Sequence, residues 1–202
     1  MSRSFIVGLS GNVSSPSKTR SLLDEIVTRA SSRFDVQGET YDLNDFGIEL
    51  GLARQFSDLG EVSRQIVDRI VQARAVVIAT PVYKGSYPGL FKHLIDLLDP
   101  SWLVGKPVLL AANGGGEKHA LVIEHQLRPL FAFMEAQTLA TGVYVSERDF
   151  ANGRLVSGGI SDRVDRAIGQ FAPFLPQPRQ QERQLPNISH LRLHQEAAAA
   201  SF

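Results

Sequence analysis

Thr80-Pro81-Val82-Tyr83-Lys84-Gly85-Ser86-Tyr87-Pro88-Gly89-Leu90-Phe91-Lys92-His93-Leu94-Ile95-Asp96 sets the architecture of this chain. It follows Ala75-Val76-Val77-Ile78-Ala79, an unbroken apolar run that reads as a strand buried on both faces. A strand that ends in Thr-Pro and passes through Gly and Pro into a helix belongs to a parallel sheet. Its loop then lies at the carboxyl edge, where open α/β sheets bind their ligands.

The flanking sequence repeats this construction. Phe5-Ile6-Val7-Gly8-Leu9 reads as a first strand and Ser10 to Ser17 as a loop of Ser, Gly, Asn and Pro. Pro16 or Ser17 opens a helix carrying Leu22, Leu23, Ile26 and Val27 at helical spacing. Phe34 to Tyr41 is a second, more polar strand, expected nearer an edge, and Asp42 to Gly60 is an irregular excursion. Glu61 to Ala73 is amphipathic, with Val62, Ile66, Ile70 and Val71 on one face. Ala75 to Thr80 is the third strand and Pro88 to Leu98 the helix after its loop. Lys106 to Ala112 is a fourth strand, which runs into Asn113-Gly114-Gly115-Gly116 and then a helix from Lys118 to Met134. Thr138 to Val145, interrupted by Gly142, gives a fifth strand. An insertion from Ser146 to Gly159 precedes a last helix from Ser161 to Phe174.

Strands alternating with helices imply right-handed βαβ units. The expected class is α/β: a flavodoxin-like, doubly wound, five-stranded parallel sheet of order 2-1-3-4-5, with helices on both faces. The Rossmann order is disfavoured because the first loop lacks G-x-G-x-x-G. Residues 1–175 are expected to form one domain and residues 176–202 an extended arm. Pro176 to Pro186 holds three Pro, four Gln and three charged residues, a composition suited to disorder or to packing on another subunit.

The 202 residues are 43% hydrophobic, enough for a full α/β core, and 21 Lys+Arg balance 21 Asp+Glu. That balance argues against nucleic acid as a partner and against a strongly acidic electron carrier. With no cysteine, disulfides, thiolate metal sites and thiol catalysis are excluded. His93, His119, His125, His190 and His194 form no metal-ligand pattern, so no metal is expected. Met1 to Ser4 is too short and polar for a signal peptide, and no apolar run approaches the roughly 18 residues of a membrane span. A soluble, cytoplasmic protein with no membrane partner is expected.

Three strand-to-helix loops then share one edge. In the first, Ser10, Asn12, Ser15, Ser17 and Thr19 offer short donors, Gly11 allows close backbone approach, and Lys18 and Arg20 add charge. At a helix N-terminus such a set suits a phosphate monoester, although Ser17 also reads as a plain N-cap. In the second, Pro81 directs the exit from the strand, and Tyr83 and Tyr87 supply flat faces for an aromatic ring. The backbone from Val82 through Lys84 to Gly85 would reach the polar edge of a flavin. In the third, Asn113, Gly114, Gly115 and Gly116 permit positive φ and bare amides beside a planar ligand. His119 lies just past that turn. Lys92 and Asp96 read as an ordinary helix-face pair.

Taken together, T-P-x-Y-x-x-x-x-P-x-x-x-K-x-x-I-D, the Ser/Asn/Thr loop after strand one and the glycine turn after strand four resemble the NAD(P)H-dependent FMN reductase family. The resemblance covers residues 5 to 175 and is strongest from 75 to 137. Ala112 to Gly116, Leu127-Arg128-Pro129-Leu130 and Ala136-Gln137 make the chain most similar to flavin reductases of two-component alkanesulfonate and methanesulfonate monooxygenases. It implies that Ser10, Asn12, Ser17 and Thr19 hold the FMN phosphate, that Pro81, Val82 and Tyr83 line the isoalloxazine, and that Asn113 to Gly116 meet its polar edge. Many relatives have Ser in place of Asn12 and a phosphate-binding Arg in place of Ser14, so weaker phosphate anchoring follows unless Lys18 or Arg20 compensates.

Some sulfonate-linked relatives carry a one-residue π-bulge in the helix after the glycine turn, at a tetramer interface, with an inserted Tyr. His125 occupies the corresponding place here and Pro129 interrupts the same helix. The activity implied is hydride transfer from NADPH or NADH to FMN, with the reduced flavin released to a partner monooxygenase in organosulfur metabolism. No protein acid, base or nucleophile is assigned, because ring stacking and distance suffice. A homodimer or homotetramer is expected. The alternatives are an FMN-retaining quinone, azo or metal-oxyanion reductase and a flavodoxin-type carrier.

Overall fold

In the computed structural model, which describes residues 4–151 and 154–176, the chain opens with Phe5–Ser10 (β1), Lys18–Phe34 (α1) and Gln37–Asp42 (β2). Three short 3-10 turns then lead to Glu61–Gln72 (α2), Ala75–Pro81 (β3), Gly89–Asp96 (α3) and Pro107–Gly114 (β4). A 3-10 turn at Glu117–His119 and a π-helical turn at Ile123–Leu127 precede Arg128–Phe133 (α4). Gln137–Thr138 (β5) and Val143–Ser146 (β6) complete the sheet. A small antiparallel pair, Phe150–Ala151 (β7) and Arg154–Leu155 (β8), and Gly158–Gly169 (α5) follow.

The sheet is parallel throughout, in the order β2-β1-β3-β4, with β5 and β6 both pairing beyond β4. This is the expected 2-1-3-4-5 order with its fifth strand split. Gly142 lies in the break, where an added Cβ would stand 2.7 Å from Ile123 Cγ2. The π turn presses on the chain there, and arginines satisfy the carbonyls that the ladder loses. Arg128 donates to Leu139 O at 2.9 Å and Arg163 to Gly142 O at 2.6 Å.

Alternate strand residues feed separate cores on the two faces. Val7, Leu9, Val76, Ile78, Val108 and Leu110 pack under α2, α3 and α4, with Phe46, Phe91 and Phe131 fully buried. Ile6, Val77, Ala79, Leu109 and Ala111 face α1 and α5, against Leu22, Leu23, Ile26, Val164 and Phe171. No helix among the described residues is long and apolar enough to cross a membrane.

Several boundaries differ from the sequence reading. The second strand was expected from Phe34, but Phe34 closes α1 as a buried residue one turn beyond Ala30, and Asp35 then ends the helix in the left-handed conformation. The single helix expected from 118 to 134 is three pieces. Pro129 stands in the first turn of α4, where a missing N–H is tolerated. The last helix begins at Gly158 rather than Ser161 and ends at Gly169 in turns that bury Phe171 and Leu175. Asn113 and Gly114 belong to β4, which extends past Ala112 because Pro81 and Val82 carry the β3 pairing that far. Beyond Pro176 the expected arm lies outside the described residues, as do His190 and His194.

Candidate functional site

β1, β3 and β4 are neighbours, so their carboxyl ends bring the three loops to one rim. Asn113 joins all three. Its side-chain oxygen accepts the Thr19 hydroxyl at 2.5 Å, its main-chain oxygen accepts Val82 N–H at 2.8 Å, and its own strand leads into the glycine turn.

The first loop is built on buried polar groups. Ser10, Asn12 and Thr19 are all buried. Ser10 Oγ donates to Asn12 Oδ1, and Asn12 Nδ2 donates to Ser14 O at 3.1 Å and to Asp42 Oδ2 at 3.4 Å. Buried polar groups of this kind must be bonded, and here they bond to each other. Ser17 is the N-cap of α1: its hydroxyl accepts Arg20 N–H at 3.2 Å, which leaves the first-turn amides of Lys18 and Thr19 without helical acceptors. Ser14, Ser15 and Lys18 are exposed. Gly11 is demanded by packing, since a Cβ there would lie 2.9 Å from Thr80 Oγ1 and 3.1 Å from the Phe91 ring.

The two cations of this loop are already engaged. Lys18 Nζ pairs with Glu147 at 3.0 Å, and Arg20 reaches Asp24 at 3.0 Å, Asp42 at 3.5 Å and Asp45 at 3.6 Å. The Lys18–Glu147 pair is exposed and therefore cheap to exchange. Arg20 also donates to Thr40 Oγ1 at 2.8 Å, which fastens α1 to β2.

The second loop is a two-residue turn. Tyr83 N donates to Ser86 O at 2.8 Å and Ser86 N to Tyr83 O at 3.1 Å, with Lys84 (φ 53°) and Gly85 (φ 85°) both left-handed between them. Pro81 is buried, and Tyr83 is 45% exposed. Tyr87 turns inward to meet the Phe91 ring edge-on at 5.8 Å. Only one of the two expected aromatic faces therefore stands at the rim.

In the third loop none of Gly114, Gly115 and Gly116 is left-handed, so the expected use of positive φ is not what these glycines serve. At Gly114 a Cβ would meet Tyr144 Oη at 2.6 Å, whereas nothing lies within 4 Å of one at Gly115 or Gly116. The first glycine admits the tyrosine, and the other two front open space. Tyr144 Oη donates to Gly116 O at 2.6 Å, and burial raises its pKa, so the hydroxyl stays a donor around neutrality.

Sequence reasoning missed four contributors: Tyr144, Asp42, the turn Glu147–Asp149 and Gln126. Asp42 had a signal, a carboxylate ending an edge strand. The others act across the fold: Arg148 pairs with Glu117 of the third loop, and Ser86 Oγ donates to Gln126 Oε1 at 3.1 Å. His125 is exposed on the π turn, His119 sits in the 3-10 turn, and Lys92 and Asp96 pair along α3 as expected.

The rim offers helix-start amides beside short polar groups at one end, and open glycine backbone facing an exposed tyrosine at the other. Such a shape suits a phosphorylated planar ring, and it defines a nucleotide-binding α/β protein of the flavodoxin type. A model of the NADPH-dependent FMN reductase family matches residues 5–151. The chain is 42% identical over 169 residues to FMN reductase (NADPH) of Pseudomonas aeruginosa, spanning 84% of this chain and 91% of that one. The NADH-dependent FMN reductase SfnF of Pseudomonas fluorescens is also 42% identical, over 84% and 90% of the two chains. An oxidoreductase from Corynebacterium diphtheriae superposes with a TM-score of 0.76 at 31% identity, covering 86% of this chain and 97% of that one. The chain belongs to the NADPH-dependent FMN reductase family.

Proposed function

We propose that this protein reduces FMN with NADPH or NADH and releases the product to a flavin-dependent monooxygenase of organosulfur, sulfonate-type metabolism. The observation that carries the reading is Asn113, which binds the three loops into one rim over open glycine backbone. When bound, the flavin would supply the redox chemistry, accepting a hydride from the nicotinamide nucleotide. Protein groups bind and orient. Ser15, Ser17, the α1 first-turn amides and Lys18 receive the phosphate, while Ser10, Asn12 and Thr19 hold that cradle in shape. Pro81, Val82, Tyr83 and Lys84 flank the ring. The backbone from Asn113 to Gly116 meets its polar edge, where amide dipoles stabilise developing negative charge.

Exchange of the flavin is favoured by the state of the cations. Arg20 is held by three carboxylates, so a phosphate must compete for its positive charge, and the exposed Lys18–Glu147 pair alone yields cheaply. Relatives of equal identity are named for NADPH and for NADH, so the donor is open to either nucleotide. A homodimer or homotetramer completes the reading, with Phe133, 76% exposed beside a groove of about 440 Å³ between α3 and α4, in support of association, and the cytoplasm is its proposed location.

Anaerobic stopped-flow mixing with FMN and each nucleotide tests the reading. Flavin bleaching with one or both donors, preceded by a long-wavelength charge-transfer band, is the expected result. Protein that stays yellow through extensive dialysis would refute flavin exchange, and no nucleotide oxidation with added FMN would refute the activity.

A further inference from the structure

We propose that Gln126 is a positioning residue for flavin binding, holding the Tyr83–Ser86 turn at the angle the ring requires. This rests on the reading that the turn lines the flavin. Two observations carry it. First, the turn has two left-handed residues, one of them Lys84, and such a backbone persists only where its surroundings hold it. It is fastened at its root by Val82 N–H to Asn113 O and at its exit by Tyr87 on Phe91. Near the tip, the contact from across the fold is the Ser86 hydroxyl donating to Gln126 Oε1 at 3.1 Å, between half-buried side chains.

Second, the π turn decides which residue makes that contact. Ile123 and Leu127 are buried, His125 is exposed, and Gln126 lies between them. One residue more or less in a helix rotates what precedes it by about 100° about the axis. A regular α-helix through this segment would present a different side chain to Ser86. The widened turn thus serves to aim an amide at the flavin loop. The sequence singles out Pro129 and His125 in this helix, but the group that reaches Ser86 is Gln126.

The test compares Q126L, Q126E, S86A, the double variant Q126L/S86A and Y83A in the full chain. FMN affinity is read by fluorescence quenching, with KM values for FMN and nucleotide and thermal midpoints alongside. Q126L and S86A are each expected to weaken FMN binding about threefold to tenfold, the worth of one lost hydrogen bond. The double variant should be no weaker than either single, because both remove the same bond. Q126E keeps an acceptor for Ser86 and is expected to stay within about twofold of the parent. Unchanged affinity in Q126L and S86A, while Y83A weakens binding, overturns the tether and leaves the flavin reading intact. Additive losses in the double variant overturn it too, as does a lowered thermal midpoint in Q126L that Q126E fails to rescue. Unchanged affinity in Y83A removes the flavin reading of the turn, and the proposal with it.

Discussion

The loop from Ser10 to Thr19 buries three polar side chains, Ser10, Asn12 and Thr19, while the loops at Tyr83–Ser86 and Gly114–Gly116 bury none. Beneath this loop Ser10, Asn12 and Asp42 are joined by side-chain bonds, and Thr19 is bonded separately to Asn113. At the other two loops, backbone bonds and the Tyr144 and Gln126 contacts do the fastening. Buried polar groups must be satisfied within the protein, so Ser10, Asn12 and Thr19 are bonded before any ligand arrives. The other two loops expose a tyrosine and open glycine backbone. The proposed exchangeable flavin fits this division, with bonded polar groups beneath one loop and open faces on the other two.

Substitutions can break or sharpen that contrast. Gly11→Ala sits at the prebuilt end, where a new methyl meets Thr80 and Phe91, and should cost about 1–3 kcal/mol of stability by overpacking, read by urea unfolding. Stability equal to the parent would show that the first loop is looser than its burial implies. Tyr83→Ala belongs to the open end. It should weaken FMN binding by about 1–3 kcal/mol through lost ring contact, with stability nearly unchanged. Should affinity hold, Tyr83 lies outside the pocket.

Tyr144→Phe keeps the ring and removes the hydroxyl bonded to Gly116 O, so a loss of about 0.5–1.5 kcal/mol, shared between stability and FMN affinity, is expected. The smallest effect on folding should come from Gly115→Ala, within about 0.5 kcal/mol by thermal unfolding, because its Cβ would enter open space. The same variant should nevertheless lower FMN affinity if the ring lies against this backbone. A large folding penalty at Gly115, or none at Gly11, reverses the comparison.

Much of the fold was legible because strand burial and helix amphipathicity repeat along the chain. The runs Phe5–Leu9 and Ala75–Ala79 and the helix with Leu22, Leu23, Ile26 and Val27 were readable from pattern alone. Misreadings fell where local pattern and tertiary demand diverge. Phe34 has strand propensity, yet it stays in α1 because its ring completes a helical face. Asn113 and Gly114 look like loop, yet they are paired strand because β3 extends beside them. The residues 118–134 carry helical periodicity, but the pattern does not reveal a widened turn, since one extra residue leaves Ile123, Leu127 and Phe131 four apart and buried.

The candidate site divides the same way. Its loops were recognisable from composition, because phosphate-accepting turns and ring-facing turns need different residue types. Their mutual fastening was not. The Thr19–Asn113 bond spans 94 residues, Lys18–Glu147 spans 129 and Ser86–Gln126 spans 40.

By itself the amino-acid order determined the alternation of buried strands and half-buried helices, and with it the parallel sheet class and the edge where three loops end. Those features depend on averaged burial along a face, which periodicity reports directly. Only the tertiary structure decided that Gly114 makes room for Tyr144, that Asn113 knits the rim together and that a π turn points Gln126 at Ser86. Such contacts depend on the placement, to within a fraction of an ångström, of groups far apart along the chain, and no local pattern encodes that distance.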